Sequence, residues 1–164
     1  SVIHSGNLVS DDIILNIIQK NIDGLKSSNK SGVIFDGFPR TVEQANGLAS
    51  LMTDLGLTLN KVLYFDLSLD ESINRISGRL IDSRNNNVYH NVSNPAPKEA
   101  EPFLISRKDD TPEKVSHRYT VYKNETTPLL DYYQAELYQI DCLQSIDQIS
   151  NQITNLVESF ELSH

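Results

Sequence analysis

Cysteine is nearly absent: Cys142 is the single one in 164 residues. That excludes an internal disulfide and any zinc site built from several thiolates, and it suits a reducing, cytoplasmic location. No apolar run approaches the length of a membrane-crossing helix and no signal-peptide pattern opens the sequence, so no membrane partner is expected. Positive charge is in the minority, with 14 Lys and Arg against 22 Asp and Glu for a net charge of -8. Because no basic block occurs either, nucleic acid is not an expected partner, and the acidic excess serves solubility. The phosphate-loop pattern Gly-x-x-x-x-Gly-Lys-[Ser/Thr] is missing throughout. The length allows one domain with a real core, carrying at most a small inserted lobe.

What is present centres on Gly32 to Gln44, Gly-Val-Ile-Phe-Asp-Gly-Phe-Pro-Arg-Thr-Val-Glu-Gln. Val33, Ile34 and Phe35 form the short apolar run of a buried strand, stopped by an acid, a glycine and a proline. In an open parallel sheet ligands bind beyond the carboxyl ends of the strands, which is where Asp36, Gly37 and Arg40 would then sit. Pro39 keeps Phe38 out of the helical region, so the chain turns before a helix starts near Thr41. Thr41 and Gln44 also fit a capping box, in which Gln44 closes a helix end. On that plain reading Arg40 is a surface charge and Asp36 a turn residue.

The rest of the chain alternates helix and strand signals. Ser10-Asp11-Asp12 caps a helix whose Ile13, Ile14, Ile17, Ile18 and Ile22 predict a core-facing stripe. The helix after Thr41 buries Val42, Ala45, Leu48, Ala49 and Met52 and stops near Gly56. Lys61 to Leu67 predicts a buried strand with Val62 to Phe65 as its apolar run, and Ser68-x-x-Glu71 caps a helix through roughly Gly78, with Arg75 and Arg79 on one face. From Leu80 to Ser106 the composition turns polar, with Pro95, Pro97 and Pro102, and predicts either a disordered loop or a small lid between two helices. Arg107-Lys108-Asp109-Asp110, read alone, is a surface ion-pair cluster. Thr111-Pro112 starts a helix that Pro128 kinks or divides. Tyr119, Tyr122, Tyr132 and Tyr133 read as packing residues. Leu137 to Ile140 is a third strand candidate, and Ser145 caps a last amphipathic helix carrying Ile146, Ile149, Ile153, Leu156 and Phe160. This alternation predicts an α/β fold.

Asp36-Gly37-Phe38-Pro39-Arg40-Thr41 with Gln44 resembles the signature of adenylate kinases among the nucleoside monophosphate kinases, and Arg107 to Asp110 and Val88-Tyr89-His90 resemble further segments of their long-lid form. The resemblance implies a P-loop NTPase-like three-layer α/β fold with a parallel sheet. Residues 1–79 would be a partial core with the end of the AMP-binding region, 80–106 the lid, and 107–164 the C-terminal part of the core. It implies reversible Mg²⁺-dependent phosphoryl transfer from ATP to AMP giving two ADP, by a cytoplasmic, monomeric enzyme of nucleotide biosynthesis without zinc. By the same resemblance Asn7, Leu8, Val9, Gly37, Phe38, Pro39, Arg40, Gln44, Arg107 and Arg118 bind AMP. Arg75, Arg79, Val88, Tyr89 and Gln144 bind ATP. Arg40, Arg79, Arg107 and Arg118 are the catalytic arginines, Asp109 and Asp110 orient them, and Asp36 holds Mg²⁺ through water.

Three departures accompany the match. Leu80 stands where the family has the second of two paired arginines. The segment between His90 and Arg107 lacks the usual Asp-x-x-Thr-Gly. The family's first strand and its phosphate loop do not occur here, so the chain by itself is expected to be an incomplete, inactive piece of a parent enzyme, cut or recorded short at its amino terminus. The alternatives are a nucleotide-binding remnant without catalysis and a UMP/CMP kinase, which shares Gly-Phe-Pro-Arg.

Overall fold

A computed structural model describes residues 11–26 and 32–161; Asn7, Leu8 and Val9 lie outside the described residues. The chain divides into two compact units, one comprising the described residues up to Val62 together with Glu125–Glu136, the other Leu63–Asn124 and the chain from Leu137 onward.

In the first unit, α1 (Asp11–Lys26) packs on α2 (Val42–Leu55). Gly47 makes this approach close, since a Cβ there would lie 2.5 Å from Leu15 Cδ1. The buried face of α1 differs from the five-isoleucine stripe expected. Ile22 is buried, but Ile13 and Ile17 are 48% and 54% exposed. The reason is geometric: the apolar arc of α1 is wider than the contact a single neighbouring helix provides, and Leu15, Ile18 and Ile22 take the covered side. Thr41 caps α2, its Oγ1 accepting from Gln44 N at 3.2 Å, and Gly56 ends it in the left-handed region at φ 65°, where glycine carries no Cβ penalty. Ala45 and Leu48 are buried as expected. Ala45 forms a core with Leu129 and Tyr133 of α5 (Pro128–Tyr132) and the turn that follows it, flanked by Val42, Leu59 and Val62. Burial pushes the Tyr133 hydroxyl pKa up to about 12. Tyr133 packs edge-on against Tyr132 at 4.8 Å between ring centroids, in keeping with a packing role.

The expected strand at Val33–Phe35 does not form. The segment is extended but, among the described residues, pairs with no neighbouring strand, and Ile34 is 94% exposed. An apolar run becomes a strand only when a partner satisfies its backbone groups.

In the second unit, β1 (Val62–Asp66, its first residue belonging to the other unit) pairs with β5 (Leu137–Asp141). Val62 N donates to Glu136 O and Cys142 N to Asp66 O, so the two strands advance together and are parallel, confirming the α/β class with a parallel sheet. Ser68 caps α3 (Leu69–Ser77) through Glu71 N. Here a second expectation fails: α3 ends at Ser77, and Arg79 opens strand β2 instead of sharing a helical face with Arg75. Gly78 breaks the helix between them. Strands β2 (Arg79–Asp82), β3 (Val88–His90) and β4 (Leu104–Ile105) form an antiparallel sheet in the order β3-β2-β4. The polar segment expected as a lid therefore has its own sheet. Its turn is fixed by Asp82, which is fully buried and accepts from Arg84 N, Nε and Nη2, while the Arg84 guanidinium lies 3.9 Å over the Phe103 ring. Thr111 and Pro112 start α4 (Pro112–Val121), which passes into a π-helical turn over Tyr122–Thr126, and α5 begins at Pro128. Ser145 and Gln148 exchange two hydrogen bonds and cap α6 (Ile146–Glu161), although Ile146 itself is 84% exposed.

Candidate active site

The first unit carries the Asp36-to-Gln44 turn. Gly37 has φ 69°, a conformation that favours glycine, and the Phe38–Pro39 peptide is cis. This turn folds Arg40 back so that its Nε donates to Gly37 O at 2.8 Å. A Cβ at Gly37 would come within 3.3 Å of the Arg40 Nη2. Gln44 is held at both ends of its amide: Oε1 accepts from Arg40 N and Nε2 donates to Asp11 Oδ1, each at 2.8 Å. Sequence reasoning missed Asp11, because its contact with Gln44 is tertiary, 33 positions away along the chain. Thr126 Oγ1 donates to Arg40 O, fixing the backbone of the turn. Asp36 is exposed. A solvent-accessible carboxylate suits a magnesium ion, which keeps several waters and takes its other ligands from phosphate oxygens.

In the second unit the structure brings together three of the four expected catalytic arginines and both expected acids. Asp110, whose side chain is 3% exposed, receives Arg79 Nε at 2.9 Å and Nη2 at 2.7 Å in a two-pronged pair. Arg118 Nη2 lies 3.9 Å from Asp110 Oδ1 and its Nη1 3.7 Å from Asp109 Oδ2; Arg107 Nε lies 3.4 Å from Asp109 Oδ1. Local sequence builds this cluster. A tight turn closes through Asp110 N donating to Arg107 O, and Thr111 and Pro112 start α4 at once, so that Arg118 comes back over Asp109 and donates to its carbonyl. The Arg79 hydrogen bonds hold the Asp110 carboxyl below its ordinary pKa, and Asp110 in turn raises the Arg79 guanidinium. Three cations on two anions leave one net positive charge, with about half of the Arg107 and Arg118 side chains open to solvent (52% and 48%). Such an array can neutralise an anionic group without first being assembled.

A second concavity of about 400 Å³ in this unit is lined by Glu71, Asn74, Arg75, His90, Gln144 and their neighbours. It unites two expected donor-nucleotide residues, Arg75 and Gln144. Arg75 is aimed by Glu71, whose Oε1 it meets at 2.6 Å, and donates from Nη2 to Cys142 O at 2.8 Å. The hydrogen bond from Arg75 also keeps the Glu71 carboxyl below its usual range, while burial pushes the Cys142 thiol up. Val88 and Tyr89 do not line this cleft; they sit on β3, paired with Ile81 and Leu80. Of the other wall residues, Glu71 was read from sequence only as part of a helix cap, His90 only as part of Val88-Tyr89-His90, and Asn74 not at all. A histidine directly after Val88-Tyr89 was the only local signal.

Comparison with known proteins follows the same lines. The family profile described as adenylate kinase matches residues 1–138. A Trichomonas vaginalis protein named adenylate kinase is 41% identical over 80% of this chain, and the chain spans 59% of its length. Adenylate kinases of Chloroherpeton thalassium and Thermosipho africanus are 35% and 33% identical over 97% and 95% of the chain, which covers 76% and 75% of theirs. A profile spanning most of the sequence, and relatives above 30% identity along nearly all of it, establish that the chain belongs to the adenylate kinase family.

Proposed function

We propose that the protein to which this chain belongs transfers a phosphoryl group from ATP to AMP and back, giving two ADP. The observation that carries this reading is the preassembled cluster of Arg79, Arg107 and Arg118 on Asp109 and Asp110. Phosphoryl transfer asks mainly for positioning and charge neutralisation, and arginines held by the buried Asp110 and the half-exposed Asp109 supply both without reorganisation. Arg40 holds the acceptor phosphate and Gln44, its amide already oriented by Asp11 and the Arg40 backbone, reads the acceptor base. Gly37, Phe38 and Pro39 shape the turn that carries Arg40. Arg75 and Gln144 take the donor's base side and Val88 and Tyr89 its ribose. Magnesium, when bound with the nucleotide, neutralises its phosphates, and Asp36 would hold it through water. The β2–β3–β4 sheet serves as the lid over residues 80–106, excluding the water that would otherwise compete as acceptor.

No described helix is long and apolar enough to cross a membrane, and we place the protein in the cytoplasm as a monomer without zinc. Since no phosphate-loop motif occurs in these 164 residues, the chain alone is inactive on this reading. A coupled assay for ADP from ATP, AMP and Mg²⁺, run on this chain and on the protein extended upstream, tests it. Activity in the extended protein alone is the expected result. Absence of turnover in both, with AMP still bound in calorimetry, would establish a binding remnant, and faster use of UMP or CMP than of AMP would establish a pyrimidine nucleotide kinase.

A further inference from the structure

The imidazole of His90 is held on both nitrogens. Its Nδ1 accepts from Val92 N at 3.2 Å and Ser93 N at 3.1 Å, and its Nε2 lies 3.1 Å from Asn74 O in the last turn of α3. A nitrogen that accepts two N–H groups carries no proton, so Nε2 carries it and donates to Asn74 O. The ring therefore ties two elements together, the carboxyl end of the helix that bears Arg75 and the turn that leaves β3. The turn itself closes through His90 N donating to Asn94 O at 2.8 Å, and Asn91 N donates to Gly78 O at 2.9 Å. Gly78 is the seat of the ring: a Cβ there would lie 2.6 Å from His90 Cε1 and even closer to Nε2, so only glycine admits the imidazole. His90, Val92 and Ser93 are part of the wall of the cleft that also holds Arg75 and Gln144.

We propose that His90 is a positioning residue for the donor-nucleotide cleft: as a neutral imidazole protonated on Nε2 it pins the turn at 91–94 to the end of α3, and protonation of Nδ1 releases that turn. The proposal rests on the phosphotransfer reading above only for which ligand the cleft takes. An imidazolium keeps its bond to Asn74 O, strengthened by the negative end of the helix. It loses both bonds to the turn, because two N–H donors then face a third. Other charged groups near the ring do not replace that loss. Glu71 of α3, whose carboxylate also feels the His90 ring, pairs with Arg75 at 2.6 Å and accepts from the Asn74 amide, and it makes no bond to the turn at 91–94. On β2 the charge paired in register with His90, Arg79, is bound to Asp110. The turn 91–94 has no charged side chain, and the 144–146 segment facing the cleft contributes Gln144, Ser145 and Ile146, none of them titratable.

Two measurements on the full-length protein decide this. Long-range ¹⁵N–¹H correlation of the His90 ring, with amide exchange at Val92 and Ser93, tests the latch without reference to activity. An unprotonated Nδ1 at neutral pH and protected amides that open on acidification are expected, and a proton on Nδ1 at neutral pH overturns the proposal. Steady-state kinetics then test the consequence. His90→Leu should raise KM for ATP about tenfold, the loss of one to two net hydrogen bonds, with kcat and KM for AMP within about twofold. His90→Asn, which keeps an acceptor near Nδ1, should recover much of that loss, and His90→Gln should not. Equal rises in both nucleotides' KM, or no difference between Asn and Gln, overturn it. Failure of the wild type to make ADP at all would reject the phosphotransfer reading instead, while the ring and amide measurements would still decide the latch.

Discussion

Asp110 and Arg107 sit in one ion cluster yet should answer to different measurements. Asp110 is nearly buried and takes both prongs of Arg79, so Asp110→Ala leaves a guanidinium without its partner and should lower stability by about 2–3 kcal/mol in urea unfolding at neutral pH. The sign of its pH dependence follows from the depressed folded-state pKa. Its contribution is complete above the ordinary aspartate value of about 4 and is lost as pH falls through the lower folded value. The gap between wild type and Asp110→Ala should therefore narrow in strong acid. Arg107 is half exposed and 3.4 Å from Asp109, where solvent screens the pair. Arg107→Ala should change stability by less than about 0.5 kcal/mol. In the phosphotransfer assay of the full protein the same substitution should reduce kcat by about 10²–10³-fold. Arg107, Asp109 and Asp110 were legible as a group from their motif and Arg118 from the family resemblance, but the burial of Asp110 alone was not, because burial depends on what α3, α4 and β2 place around it.

At the level of elements, capping was readable from sequence and packing only in part. The Thr41, Ser68, Thr111 and Ser145 caps all form at the expected positions, since each needs only residues within one turn. Thr41→Ala should cost about 1 kcal/mol and also loosen Arg40, whose backbone N–H bonds the same Gln44; thermal unfolding and AMP affinity would report the two effects separately. Strand Val33–Phe35 was expected from composition and fails for want of a partner, and Arg79 changed from helix to strand because Gly78 ends α3 early. The antiparallel sheet of residues 79–105 owes its turn to the buried Asp82 and the Arg84–Phe103 contact. Asp82 is held below the ordinary aspartate range chiefly by the Arg84 hydrogen bonds. Asp82→Leu should remove that anchor and speed amide exchange of β2 and β4 while leaving α2 unchanged.

For the whole molecule, the acidic balance of -8 sets a background against which the clustered arginines are the exception. Bound nucleotide should draw on that exception. In the full-length protein ATP and AMP should each raise the thermal midpoint in proportion to the logarithm of their concentration, and Arg118→Ala should weaken the response to nucleotide while barely moving the unliganded midpoint. The sequence by itself determined the family, the α/β class and the helix caps, because motifs, short-range hydrogen bonds and residue types are properties of neighbours along the chain. Only the tertiary structure decided that Asp110 is the buried anchor, that Asp11 orients Gln44, that α1 turns Ile13 and Ile17 to solvent, and that His90 ties a turn to the end of α3. Each depends on which distant backbone comes close enough to exclude water or complete a hydrogen bond, and no local pattern encodes that.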